Sequence, residues 1–404
     1  MMSAKPNFTE RKYLAVFLFV TSLFFCWGVA LTLGDVLNRH FQNVLHISKS
    51  RSGLVQLSLF GAYAVMGIPA GMFIKRAGYK KGILLGLLLY AVGAFLFIPA
   101  AEAASFNLFR FALFVLACGL ATLETVAHPL VAALGDQRTS DQRINFSQSF
   151  NGLGGVIGPA IGSYFILKTG QEHSDDLVAV RDLYIAIGFV ITLLAVAFLF
   201  IKLPVMNQSH EQDDIVEVKP LAQQKHFIFA VVAQFFNVAA QGGTWAYFIN
   251  YGHDVMELSD EKSGYFFSLS MMMLMIGRFA GTALMRFIAP YKLLAIFAGM
   301  NILMCIIVAL HVGWISFIAL IMINFFFSIM FPTIFSLGLK NLGKHTQQAS
   351  SFIVMGVVGG GIFPPLMGLI ANHSVSAAYY LPVICYLVIM LFGYNYPRLV
   401  KTGH

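Results

Sequence analysis

LAVFLFVTSLFFCWGVALTLGDVLN (14–38) runs from Leu14 to Gly34 without a charged side chain, then sets one carboxylate, Asp35, in an otherwise apolar segment. An α-helix needs about 20 consecutive apolar residues to cross a hydrocarbon layer of about 30 Å. Such runs recur near 13–39, 52–74, 82–101, 106–134, 144–167, 181–203, 226–250, 263–287, 292–312, 314–338, 348–371 and 378–397. They predict an all-α membrane protein with twelve transmembrane helices. Composition points the same way: 58% of the 404 residues are hydrophobic, 11% are charged and the mean hydropathy is +0.77. Soluble domains carry about 25% charged residues. The first run is too long for a signal-peptide core, so a retained first span is expected.

The longest charged stretch, 204–225, contains His210, Glu211, Asp213, Asp214, Glu217 and Lys219 and separates six runs from six. The expected organisation is an N-terminal six-helix bundle (1–203), a cytoplasmic linker (204–225) and a C-terminal six-helix bundle (226–404). Lys and Arg gather in the loops on the side of the termini, including Lys75, Arg76, Lys80, Lys81, Arg138 and Arg143; Arg39, Lys49, Arg51, Lys168, Arg181 and Lys262 lie opposite. Basic residues are retained on the cytoplasmic side, which places both termini in the cytoplasm and the chain in the cell inner (plasma) membrane.

The net charge of +8 sits in these loops and forms no basic stripe with interleaved aromatics, so no nucleic-acid partner is expected. Cys26, Cys118, Cys305 and Cys385 lie in apolar runs without metal-ligand spacing. The chain has no Walker GxxxxGK[ST], no GxSxG and no HExxH, and neither enzyme activity, a cofactor nor a metal is expected. An ion or solute gradient is the remaining source of energy for moving a solute, and a monomer suffices for it.

Two acids fall inside runs, Asp35 in the first and Glu124 in the fourth. A carboxylate in hydrocarbon costs at least a few kcal/mol, so each should face a polar cavity or a buried partner. Removal from water penalises the charged form, which suits a group that takes and releases a proton. Thr32, Asp35 and Asn38 share one helical face, and Glu124 and His128 stand one turn apart. Asn145, Gln148 and Asn151 recur every third residue in the fifth run. Amides offer both donor and acceptor, as hydroxyl-rich solutes require, although hydrogen bonds between helices would explain the same stripe. Gln234, Asn237, Gln241 and Trp245 form a second stripe, ending in a ring able to stack on the apolar face of a sugar or simply to pack. Asn324 and Ser328 are a turn apart, with Pro332 a turn beyond. His128 reads as a neutral hydrogen-bonding group as readily as a proton relay. Arg278 reads as half of a structural or gating ion pair, and Arg110 as a snorkelling side chain.

Several stretches resemble a known family: LETVAHP (123–129), FSQSFNGLGG (146–155), AQGGTWAYFINY (240–251), GRFAGTALM (277–285), FPTIFSLGLKNLG (331–343) and SSFIVMGVVGGG (350–361). The loop GMFIKRAGYKK (71–81) adds to them. The chain is identified as similar to the major facilitator superfamily and, within it, to the fucose-galactose-glucose proton symporters. The resemblance implies a proton-coupled carrier of L-fucose or a related hexose, working by alternating access between two lobes. It implies that Asp35 and Glu124 are the functional acids and that Gln148 and Asn151 line the cavity. Glu124 is then expected to contact sugar as well, with Gln241, Trp245, Thr32, Asn237 and Phe331 as further candidates. Thr32 stands where an Asn is expected and Phe331 where a Tyr is expected, which leaves the identity of the sugar open. A proton-coupled exporter of lipophilic compounds or sugars is the main alternative, and a non-transporting sensor a third.

Overall fold

The computed structural model describes residues 9, 11–135, 139–168, 176–201, 203 and 220–401. The expected linker lies outside the described residues as far as position 219. Among the described residues, twelve helical segments are long and apolar enough to span a membrane. Spans 1 to 6 are Leu14–Val44, Lys49–Ala77, Tyr79–Glu102, Phe106–Ala133, Phe146–Lys168 and Leu177–Phe200. Spans 7 to 12 are Lys225–Asp254, Asp260–Leu284, Pro290–Ala309, Trp314–Leu339, Gln348–Ala371 and Val375–Val400. The described residues contain no β-strand.

Several spans depart from a continuous α-helix. Span 10 consists of Trp314–Phe327 and Met330–Leu339. Pro332 has no N–H to give the Ser328 carbonyl one turn earlier, so the ladder parts there. Span 11 passes through a 3-10 turn, Gly356–Val358, ahead of Pro364 and Pro365. Span 5 carries Pro159 and ends in a π-helical turn, Ser163–Lys168.

Spans 1 and 5 cross closely because glycine stands on both sides. A Cβ on Gly154 would overlap the Phe25 carbonyl oxygen, and one on Gly28 would overlap that of Asn151. Arg143, expected in a cytoplasmic loop, is instead buried at the start of the fifth helix. Its Nε donates to the Val131 carbonyl at 3.0 Å, Nη1 to Thr139 Oγ1 at 2.6 Å, and Nη2 to the Ala132 carbonyl. A guanidinium thus caps the end of span 4, where helical carbonyls lack partners.

The polar contacts joining the first six spans to the last six gather toward the C-terminal ends of spans 1 and 7. Asn38 Nδ2 donates to the Ala246 carbonyl at 2.5 Å, Asn250 Nδ2 donates to Gln42 Oε1 at 2.6 Å, and Ser50 Oγ donates to the Pro365 carbonyl at 3.0 Å. Tyr247 Oη lies 2.8 Å from both the Lys49 and the Pro364 carbonyl oxygens. Further in, Ser268 Oγ donates to the Val156 carbonyl at 2.5 Å.

Charge reinforces this closed end. Arg39 Nε donates to Asp260 Oδ1 at 2.9 Å, and Asn43 Nδ2 to Asp260 Oδ2 at 2.7 Å. His253 Nδ1 is 3.1 Å from the same carboxylate, and Lys49 Nζ is 2.9 Å from Asp254. Arg39 is 7% exposed and Asp260 4%. The sequence expectation placed Arg39 at a span's edge and Asp260 in a loop. Span 1 continues to Val44 and span 8 begins at Asp260, so both belong to helices and a third carboxylate lies within the spans.

Candidate functional site

Span 1 delivers Trp27 and Asp35 two turns apart on one face. Asp35 is 5% exposed and accepts one hydrogen bond, from Gln56 Nε2 of span 2 at 2.7 Å. The Gln56 Oε1 atom is buried with no partner among the described residues. Thr32, on the same face of span 1, donates to its own helix at the Gly28 carbonyl, 2.9 Å away, and packs beneath Gly158 of span 5. In this structure span 5 covers its hydroxyl. Asn38 reaches across to span 7 instead.

Glu124 is half-buried in span 4, and among the described residues no donor reaches its carboxylate. It lies within electrostatic reach of the Tyr63 phenol of span 2. Tyr63 Oη accepts from Trp27 Nε1 at 2.5 Å. One turn along span 4, the His128 ring sits between two polar partners. Its Nδ1 is 3.2 Å from the Glu124 backbone oxygen and its Nε2 is 2.7 Å from Gln148 Nε2 of span 5. Asn151 Nδ2 donates to the Phe24 carbonyl at 3.3 Å. Spans 1, 2, 4 and 5 thus bring Trp27, Tyr63, Glu124, His128, Gln148 and Asn151 into one cluster.

A second cluster forms in the last six spans. Trp245 Nε1 donates to Asn324 Oδ1 at 2.8 Å, Asn324 Nδ2 to Ser270 Oγ at 2.9 Å, and Ser270 Oγ to the Ile321 carbonyl at 3.0 Å. The indole ring makes edge contacts with Phe267 and Phe327, each at 6.3 Å between centroids. The breaks in spans 7 and 10 fall beside this chain: Tyr247 interrupts span 7, and residues 328 and 329 interrupt span 10. Gln241 and Phe331 are half-buried. Asn237 and Gln234 are fully buried, and neither amide has a partner among the described residues.

Arg278 is half-buried, its Nε is buried without a partner, and no carboxylate comes within ion-pair distance among the described residues. An open cleft of about 450 Å³ between spans 2 and 4, lined by Ser58, Asn107, Arg110 and Phe111 among others, contains neither Asp35 nor Glu124. Among the described residues no three His, Cys, Asp or Glu side chains converge as metal ligands would.

Sequence reading missed Trp27, Tyr63, Gln56 and Ser270. Helical spacing held part of the signal: Trp27 is eight residues before Asp35 and Tyr63 seven after Gln56, so each pair shares a face. Which faces meet depends on how the spans are rotated, and that is a tertiary property.

Twelve apolar helices, discontinuous spans and carboxylates held at membrane depth define a polytopic membrane carrier. Residues 14–360 match the Major Facilitator Superfamily, and the chain belongs to that family. It is 36% identical to the L-fucose-proton symporter of Escherichia coli (strain K12), over 95% of this chain and 93% of the relative. It is 35% identical to a glucose/galactose transporter of Brucella abortus, over 95% of each. Among solved structures, the crystal structure of the transporter FucP in the outward conformation superposes with a TM-score of 0.69 at 35% identity. That match covers 96% of this chain and 99% of that one.

Proposed function

We propose that the chain is a proton-coupled monosaccharide symporter, carrying L-fucose or a related hexose or deoxyhexose by alternating access. The observation that carries this reading is Glu124: a carboxylate without a donor among the described residues, within electrostatic reach of the Tyr63 phenol that Trp27 holds, and one turn from His128, which holds the Gln148 amide. Aromatic rings suit the apolar face of a sugar, and acceptors suit its hydroxyls. The names of relatives at 35–36% identity over nearly the whole chain support the same substrate class.

Asp35 is assigned to taking and releasing the proton, and Glu124 to contacting sugar while sharing in protonation. Gln148, Asn151, Gln241, Trp245 and Phe331 are assigned to the substrate path. Asn237 would become available when the Gly356–Val358 turn, packed against neighbouring Gln234, moves. The two six-span bundles, 1–203 and 226–404, rock about this site in an inner membrane, with both termini and the linker in the cytoplasm. In that orientation the closed end faces outward. Arg278, at the open end, finds its ion partner when that end closes; Arg278→Gln should then slow net transport more than it weakens sugar binding, and equal losses would reject the role.

Proteoliposomes with an imposed proton gradient should accumulate a hexose or deoxyhexose. Uptake that ignores the gradient and survives Asp35→Asn would overturn the proposal. If Glu124→Gln kept full sugar affinity while Asp35→Asn abolished binding, the two roles would be reversed.

A further inference from the structure

We infer that His128 determines which end of the Gln148 amide faces the ligand, so that the site presents a hydrogen-bond acceptor there and selects for a sugar hydroxyl able to donate. The inference rests on the sugar-carrier reading above.

The ring geometry leaves little choice. The Glu124 backbone oxygen, 3.2 Å from Nδ1, can only accept, so Nδ1 must carry a proton. In the neutral ring Nε2 is then a bare acceptor, and it lies 2.7 Å from Gln148 Nε2, which can only donate. The opposite neutral tautomer fails at both contacts: a lone pair would face a carbonyl, and an N–H would face an amino group. Reversing the amide would require a second ring proton. Phe24 packs edge-on against the ring, at 5.0 Å between centroids and 86° between planes, and so resists a ring flip.

With its amino group held by His128, Gln148 turns Oε1 away from span 4. Among the described residues no donor reaches that oxygen, and Gln148 is only half-buried. The Glu124 carboxylate, one turn from His128 on span 4, likewise lacks a donor among the described residues. Gln148 and Glu124 thus ask the ligand for hydroxyl hydrogens, and His128 enforces this as a positioning residue without touching sugar itself.

Deoxy and deoxyfluoro analogues separate a donor from an acceptor, because fluorine keeps the size and weak acceptor character of a hydroxyl but cannot donate. The test is counterflow competition by both analogue series at every ring position against the sugar that the wild-type protein exchanges. At the position served by Gln148, the deoxy and fluoro analogues should both bind about tenfold more weakly than the parent. His128→Phe keeps the ring contact with Phe24 and removes both nitrogens. In that variant the freed amide can turn its amino group to fluorine, and the fluoro analogue should regain about threefold over the deoxy one. A fluoro analogue that outbinds its deoxy partner at every sensitive position of the wild type would overturn the inference, as would an unchanged analogue pattern in His128→Phe. His128→Leu serves the same comparison if the Phe variant does not purify as a single species. Nitrogen NMR on histidine-labelled protein, with His128 assigned by difference against the variant, should show the neutral Nδ1–H tautomer; the Nε2–H tautomer or an imidazolium would overturn the inference without reference to sugar. Absence of any sugar exchange by the wild type would instead defeat the sugar-carrier reading and leave the NMR result standing on its own.

Discussion

Trp245 holds Asn324 and Asn324 holds Ser270, so the indole is fixed by a chain of polar side chains as well as by packing. Trp245→Phe keeps an aromatic surface and leaves Asn324 Oδ1 without its donor, a loss of about 1–2 kcal/mol. The half-saturation concentration in counterflow should rise about tenfold. A variant with unchanged half-saturation would show that Trp245 only packs. The acids were legible in sequence because a carboxylate inside an apolar run requires no tertiary information to be noticed. Their partners were not. Thr32, Asp35 and Asn38 do share a face of span 1, but along its length that face meets three different helices: span 5 at Thr32, span 2 at Asp35 and span 7 at Asn38. Periodicity identifies a face; it says nothing of how many neighbours divide it.

Between elements, the crossing of spans 1 and 5 depends on glycine at Gly28 and Gly154. Gly154→Ala must push the Phe25 backbone aside, since no flexible side chain is there to yield, and should cost about 1–3 kcal/mol. Thermal unfolding in detergent would register it, and an unshifted transition would mean that the helices separate freely. The Arg39–Asp260 pair ties span 1 to span 8. Removing the Asp260 charge leaves Arg39 with only the more distant Asp254 carboxylate, at 3.7 Å, and so costs less than the about 3–5 kcal/mol of a wholly uncompensated buried charge. Asp260→Asn should therefore favour the conformation in which this end opens and Arg39 regains water. Reaction of a cysteine at buried Ala246 with an impermeant thiol reagent should accelerate about tenfold, the shift that about 1.4 kcal/mol produces. No acceleration would make the pair merely structural. Sequence reading missed this latch for a simple reason: span boundaries drawn a few residues short put Arg39 at the very end of the first span and Asp260 in a loop.

For the molecule as a whole, the twelve spans were readable from hydropathy alone, because a bilayer imposes its thickness on every helix. The conformation was not readable, since the sequence must serve both ends of the cycle. The contacts near Asn38, Ser50, Asn250 and Asp260 close one end in this structure. If alternation requires that seam to part, cysteines replacing Lys49 and Asp254, bridged by a short cleavable reagent, should halt net transport and recover when the bridge is cut. Undiminished transport in the bridged protein would exclude opening at this end.

Among the described residues Glu124 stands without a donor, in the same cluster as the ring and amide groups proposed to hold sugar. Such a group is a shared account between two ligands: a proton and a sugar hydroxyl both satisfy the same oxygens. Linkage then allows only one coupling free energy, so the factor by which protonation alters sugar affinity must equal the factor by which sugar alters proton affinity. Proton exchange with a lightly buffered solution on adding sugar to the purified carrier, and the slope of sugar affinity against pH, are consequently two readings of one quantity.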